Sequence, residues 1–179
     1  TVLSLGNQYL SDFSKKNSKP AKSPLNLVLC GNCSLVQLKN TASPALLYTN
    51  RYGYKSGINS TMKEELQKIV VAALKKINNH GKITAVDIGA NDGTLLSYYP
   101  KDVFRIAIEP IKKFANECKQ YADIVISDFF NFKSYEHKLK RKKADIVTAI
   151  SCFYDIDNPN DFVRDVKKIL QKDGIFVIQ

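Results

Sequence analysis

The sequence is poor in cysteine, in histidine and in acidic side chains, and it contains no long apolar run. Its 179 residues include 4 cysteines, 2 histidines and 17 acidic against 27 basic side chains. Only Cys30 and Cys33 lie close together, with Cys118 and Cys152 standing apart. That pattern excludes a disulfide-stapled secreted scaffold and points to a reducing cytoplasm. No apolar stretch reaches the length of about 18 residues that a membrane span requires, so no membrane is expected as a partner. The start, Thr1-Val2-Leu3, has neither an initiator methionine nor a signal-peptide layout. Residues 174–179 read as a strand cut at its end, so a fragment of a longer protein, truncated at both ends, is expected. No internal repeat is visible.

The shortage of acids leaves a net charge of +10 and a pI near 9.4. Nucleic-acid binding is the obvious functional consequence of such a balance. The cations are spread out, however, and the densest run, residues 138–143, has no interleaved aromatics. A lysine-rich, solubilising surface is therefore preferred, with nucleic acid not the expected partner. A positive field also suits an anionic small-molecule substrate such as a nucleotide sugar. The 44% hydrophobic content is enough for a core, and the length suits one ordinary domain with a small appendage.

Residues 1–58 carry Pro20, Pro24 and Pro44, many Ser and Asn, and short apolar runs, which read as short strands and loops. Residues 14–23 form a polar, Lys-rich loop. The apolar residues are too few for an independent core, so a metal or a docking surface is expected to support this part. A helix follows. Thr61-Met62-Lys63-Glu64 has capping-box spacing, and Leu66, Ile69, Val70, Ala73, Leu74 and Ile77 recur at helical steps until Asn78-Asn79-His80-Gly81 ends the pattern. From residue 82 strands and helices alternate. Strands are expected at 83–88, 104–108, 123–127, 144–150 and 174–179, and helices at about 92–98, 111–120, 131–140 and 159–171. Continuous apolar runs such as Ile146-Val147-Thr148-Ala149-Ile150 suit strands covered on both faces. The fold class is α/β, an open parallel sheet with right-handed crossovers. Residues 59–179 form that domain, and 1–58 the smaller one.

Val86-Asp87-Ile88-Gly89-Ala90-Asn91-Asp92-Gly93 reads as a buried strand, a glycine turn and the start of a helix. In a doubly wound sheet a ligand sits at this carboxyl end of the strands. The spacing is not the G-x-G-x-x-G of a dinucleotide fingerprint, and Asp92 within the loop would repel a pyrophosphate. Acidic neighbours suit a cationic ligand instead. Glu109 ends the next strand, where a carboxylate can accept hydrogen bonds from ribose hydroxyls. Asp128 and Phe129 follow the third strand. For Asp128 the alternative is a helix N-cap, for Glu109 a surface carboxylate before Pro110, and for the glycine loop a tight turn without a ligand.

This segment resembles motif I of the class I S-adenosylmethionine-dependent methyltransferases, written D/E-x-G-x-G-x-G. Asp87, Gly89 and Gly93 match, while Asn91 replaces the middle glycine. The resemblance implies a Rossmann-like fold and S-adenosylmethionine as cofactor, held by Asp87, Gly89, Ala90, Asn91, Gly93 and Glu109. It further implies Asp128 at the adenine amino group and Phe129 against the ring.

Cys30-Gly31-Asn32-Cys33 is a C-x-x-C hairpin of the kind that grips zinc, although two thiolates are half of a closed site. Neither His80 nor His137 is placed to complete it, and a redox pair or two turn cysteines are the alternatives. The surrounding pattern, with Pro24, Leu25, Leu27, Leu35, Val36, Gln37 and Leu38, continues into Leu47-Tyr48 and then Tyr52, Tyr54 and Ser56. It is similar to the zinc-binding domain that opens the sugar C-methyltransferase family, whose members act on nucleotide-linked ketodeoxysugars. That family carries a further C-x-x-C upstream, which would make Cys30 and Cys33 the visible half of a structural zinc site.

The resemblance implies methylation of carbon in deoxysugar biosynthesis. A base removes a proton beside a ketone, a donor stabilises the enolate oxygen, and the carbanion attacks the sulfonium methyl. Tyr52, Tyr54 and Asp155 are the catalytic candidates. Some family members carry His where Asp155 stands, and an Asp is a weaker base unless burial raises it. Tyr48, Tyr52 and Tyr54 could equally be packing residues. Cys152 reads as packing rather than nucleophile. Two rivals stand beside this reading: an O- or N-methyltransferase of another small molecule, and a non-enzymatic basic zinc/Rossmann module that binds nucleic acid. The substrate, the methylated atom and the oligomeric state are not legible.

Overall fold

The computed structural model describes residues 1–10, 19–78 and 81–179. The chain divides into two compact units, Thr1–Tyr54 and Lys55–Gln179. The break falls a few residues before the boundary expected at 58/59.

The first unit is a three-stranded antiparallel sheet in the order β1 (Leu3–Tyr9), β2 (Lys22–Leu29), β3 (Val36–Leu38), followed by the short helix α1 (Pro44–Leu47). Apolar residues line these strands, yet none of the described residues of this unit is buried. Among the described residues, nothing in this unit buries a face of the sheet as a second layer would. The polar loop expected at 14–23 lies partly outside the described residues, and Lys22 already belongs to β2.

The second unit holds five parallel strands: β4 (Thr84–Ile88), β5 (Phe104–Ile108), β6 (Ile124–Ile126), β7 (Ala144–Ala149) and β8 (Leu170–Ile178), in the order β6-β5-β4-β7-β8. Every residue of β4 and β7 is buried, the polar Thr84, Asp87, Asp145 and Thr148 included, as strands covered on both faces require. Alternate side chains serve two cores. Val86 and Ile88 meet Tyr135 and Leu139 of α5 (Phe132–Leu139) and Phe162, Val166 and Ile169 of α6 (Pro159–Ile169). Ala85 and Ala107 on the other face meet Leu66, Val70 and Ala73 of α2 (Ser60–Lys76), Leu95 and Leu96 of α3 (Thr94–Ser97), and Cys118 of α4 (Lys112–Cys118). This is the open α/β sheet read from the sequence. Strand order reverses beside β4, whose two neighbours are reached in opposite directions, and the crevice at its carboxyl end is the place where such sheets hold ligands.

Several local expectations are corrected. The cap of α2 is Asn59, whose side chain accepts from Met62 N at 3.3 Å, and not Thr61, which already lies inside the helix. The helix expected at 92–98 is the four-residue α3. The last helix stops at Ile169 and β8 begins at once, because Leu170 pairs with Ala144 and the sheet captures it. His80 lies outside the described residues. Among those described, no helix is long and apolar enough to cross a membrane.

Candidate functional site

β4 ends at Ile88, and the chain turns through 89–93 with three left-handed residues, Gly89 (φ +71°), Asn91 (φ +50°) and Gly93 (φ +80°). Two are glycine because they have no room as well as no φ freedom. A Cβ on Gly89 would lie 3.2 Å from Cys152 Sγ, and one on Gly93 3.0 Å from Tyr121 Cδ2 and 3.2 Å from the Cys118 backbone. Asn91 departs from glycine without conflict, since asparagine is among the side chains that enter the left-handed region most readily. Gly89 N and Ala90 N donate to Ile108 O at 2.9 and 3.2 Å, tying the turn to the end of β5.

Two buried carboxylates stand at this crevice. Asp87 lies opposite Thr148 in the β4/β7 register, and Thr148 Oγ1 donates to Asp87 Oδ1 at 2.6 Å. Glu109, immediately after β5, accepts from Asn91 N at 2.8 Å and from Ile111 N at 2.8 Å. Burial pushes the Asp87 carboxyl up to about 7; the Thr148 hydrogen bond opposes this and the nearby Glu109 charge adds to it. Burial likewise pushes Glu109 up to about 7, against the two backbone N–H groups that favour its ionised form. Two desolvated acids side by side make a pocket that gains by taking in positive charge and lose by taking in a diphosphate.

Asp92 plays a different part from the one expected of it. It is buried, and its oxygens accept from Thr94 N (3.1 Å) and Thr94 Oγ1 (2.6 Å) on one side and from Gly57 N (2.9 Å) on the other. Its carboxylate is engaged in holding the loop, so Asp87 and Glu109 are the acids left to face a ligand, while its oxygens still bring negative potential to the turn.

Asp128 and Phe129 follow β6, whose end is next to Glu109, since Glu109 N donates to Ile126 O at 3.0 Å. Both are exposed, and Phe129 N donates to Asp128 Oδ1 at 2.8 Å. The capping alternative for Asp128 is excluded: α5 is capped by Asn131, which accepts from Ser134 N at 2.9 Å. After β7 the chain passes through Ser151 (φ +57°) into a single 3-10 turn, Phe153–Asp155. Cys152 Sγ donates to Ile88 O at 3.4 Å, which seats this segment against the glycine turn. Burial pushes the Cys152 thiol up to about 12, which keeps it protonated and suits its packing role. Asp155 is exposed.

The structure thus brings together Asp87, Gly89, Ala90, Asn91, Gly93 and Glu109, with Asp128 and Phe129 beyond the next strand. Tyr52 and Tyr54 belong to the first unit. The Tyr48 and Tyr52 rings lie 5.6 Å apart at 51°, and Tyr54 is exposed. Cys30 and Cys33 occupy the turn between β2 and β3. The Cys30 thiol is held below the usual range, chiefly by the backbone N–H of Cys33 and then that of Asn32. No group of three or more metal-ligating side chains occurs among the described residues. The donor set present is half of what a closed zinc site needs. Sequence reasoning missed Thr148. Its signal was a hydroxyl in the middle of the apolar run 146–150.

Comparison with known proteins agrees with this geometry. A family model described as a methyltransferase domain matches residues 58–179. The C-methyltransferase NovU of Streptomyces niveus is 23% identical over 158 residues, covering 87% of this chain and 37% of NovU. Among solved structures, the plantazolicin methyltransferase BpumL, in complex with a pentazolic desmethylPZN analog and SAH, superposes with a TM-score of 0.54 at 15% identity. The match covers 68% of this chain and 48% of BpumL. The CurJ carbon methyltransferase gives 0.51 at 16% identity, over 65% of this chain and 34% of CurJ. At such identities these structures speak for the fold. The chain spans less than half the length of each of these relatives.

Proposed function

The chain belongs to the methyltransferase domain family, and from that premise we propose that the crevice at the ends of β4 and β5 binds S-adenosylmethionine and directs its methyl group to a small acceptor. The observation that carries the reading is the pair of buried carboxylates, Asp87 and Glu109, beside a turn that keeps Cβ atoms out. They fit a nucleoside that carries positive charge. Glu109 has unused lone pairs on both oxygens for the ribose hydroxyls, and its two backbone donors fix its orientation. Asp87 supplies negative potential from behind the turn, and Thr148 keeps that carboxylate aimed. Asp128 is assigned to the adenine amino group and Phe129 to the ring face. When bound, S-adenosylmethionine supplies an electrophilic methyl group on a cationic sulfur. Proximity and this fixed electrostatic frame are what the protein adds.

For the acceptor we propose carbon, in a nucleotide-linked ketodeoxysugar. Its support is the pattern around the C-x-x-C hairpin and tyrosines, together with the naming of NovU as a C-methyltransferase. Asp155, Tyr52 and Tyr54 are the groups proposed to act on the acceptor. Residues 1–58 are proposed to be the smaller domain, with Cys30 and Cys33 giving two thiolates to a structural zinc, which metal analysis of the purified protein tests.

Titration calorimetry with S-adenosylhomocysteine tests the central reading. Saturable binding that is weakened by Glu109→Ala is expected. Binding of NAD in its place, or of neither ligand, would overturn it. Product analysis by carbon NMR after incubation with a nucleotide ketosugar separates methylation of carbon from methylation of oxygen or nitrogen.

A further inference from the structure

We infer that Asp92 is a positioning residue, clasping residues 55–58 onto the glycine turn and so closing one wall of the crevice. This rests on the reading of that turn as the place where the methyl donor binds. Two backbone donors of the segment meet two side chains of the turn: Ser56 N donates to Asn91 Oδ1 at 3.0 Å, and Gly57 N to Asp92 Oδ2 at 2.9 Å. Lys55 holds the start of the segment by an ion pair with Glu117 of α4, at 2.5 Å.

The fit at Gly57 shows how closely the segment lies. A Cβ there would stand 2.6 Å from Asp92 Oδ2 and 2.6 Å from Thr94 Oγ1. Neither atom can swing aside freely, because Thr94 N and Thr94 Oγ1 both bind the other Asp92 oxygen. Gly57 is thus glycine for space.

The clasp continues toward the ligand. Asn91, whose side chain holds Ser56, gives its own N–H to Glu109 Oε2. Residues 55–58, the turn and the ribose-facing carboxylate therefore form one hydrogen-bonded chain. Release of Gly57 loosens the turn next to Glu109, and the donor leaves faster. An aspartate is needed at 92 because both of its oxygens accept; the single acceptor oxygen of an amide cannot serve Gly57 N and Thr94 N together.

The test compares three full-length variants by amide hydrogen exchange and by S-adenosylhomocysteine binding. Asp92→Asn is expected to lower protection at Ser56 and Gly57, with β4 and β7 amides unchanged. It should also raise the dissociation constant about tenfold, mostly through the off-rate, as loss of a charge-assisted hydrogen bond suggests. Gly57→Ala is expected to do the same while leaving the Asp92–Thr94 bonds in place, and it carries the test should Asp92→Asn fail to fold. Thr94→Val keeps the carboxylate and its bond to Gly57, so Gly57 protection should stay within about twofold of wild type. Unchanged protection at Gly57 in Asp92→Asn overturns the clasp, and lost protection with unchanged affinity overturns the positioning role of Asp92. A wild-type protein that binds no S-adenosylhomocysteine overturns the functional reading instead, and the exchange pattern still decides whether the clasp exists.

Discussion

Asp87 and Glu109 are costly residues to bury, and their cost has a sign that can be measured. Both carboxyls sit near 7 in the folded chain, against about 4 when unfolded. Between those values the folded state keeps protons that the unfolded state has released, so these groups lower stability as pH rises from about 4 to about 7 and then level off. Asp87→Asn is expected to flatten that decline in thermal melts across pH 5 to 8, and to weaken S-adenosylmethionine binding although the protein is no less stable at pH 8. A cation drawn into the pocket favours the ionised acids. Affinity for S-adenosylmethionine should therefore increase as pH rises toward 7, by up to about tenfold per pH unit for each acid that must give up its proton. S-adenosylhomocysteine, which lacks the sulfonium, should respond less. Calorimetry of both ligands at pH 6 and 8 checks this, and equal slopes would remove the sulfur's charge from the argument. Gly93 gives a second residue-level test. Its φ of +80° and the 3.0 Å approach to Tyr121 make Gly93→Ala destabilising by about 1–3 kcal/mol, read as a lowered melting temperature.

At the level of elements, the roles of Asp128 and Asn131 separate binding from folding. Asn131→Ala removes the cap of α5 and should cost about 1 kcal/mol of stability. Asp128→Ala should leave the melting temperature near wild type and weaken nucleoside binding. The reverse result would return Asp128 to a structural part. This contrast also shows what was legible beforehand. The strands could be read because β4 and β7 are predominantly apolar and the helices between them keep their period, and the place of the glycine turn followed from the strand before it. Partners brought in from elsewhere in the chain could not be read. Asp92 looked like a ligand-facing acid because its acceptor duty depends on Gly57, 35 residues away. Thr61 looked like a cap because the box spacing is local, whereas Asn59 holds the position by backbone geometry. Leu170 continues the apolar face of α6, yet pairing with Ala144 makes it the first residue of a strand.

Across the whole molecule, burial is distributed very unevenly. The buried apolar residues, from Leu66 to Ile169, all lie in the unit Lys55–Gln179, while the described residues of Thr1–Tyr54 include none. Hydrophobic burial is the main favourable term in folding, and an isolated three-stranded sheet with no covered face is marginal in water. The two units should therefore behave differently when expressed apart. Residues 55–179 keep both cores, the five-stranded sheet, the glycine turn and residues 55–58. This fragment should melt cooperatively and bind S-adenosylhomocysteine within a few-fold of the full chain. Residues 1–54 alone should give no cooperative transition by circular dichroism. Zinc added to that fragment provides the sharper arm. With only Cys30 and Cys33 as thiolate donors, it should bind weakly and order little, because a closed site takes four ligands. Tight binding with one zinc shared by two fragments would instead show that the hairpin's thiolates form a full site between copies. A fragment 55–179 that folds but does not bind S-adenosylhomocysteine, beside a full chain that does, would place part of the binding energy in the first unit.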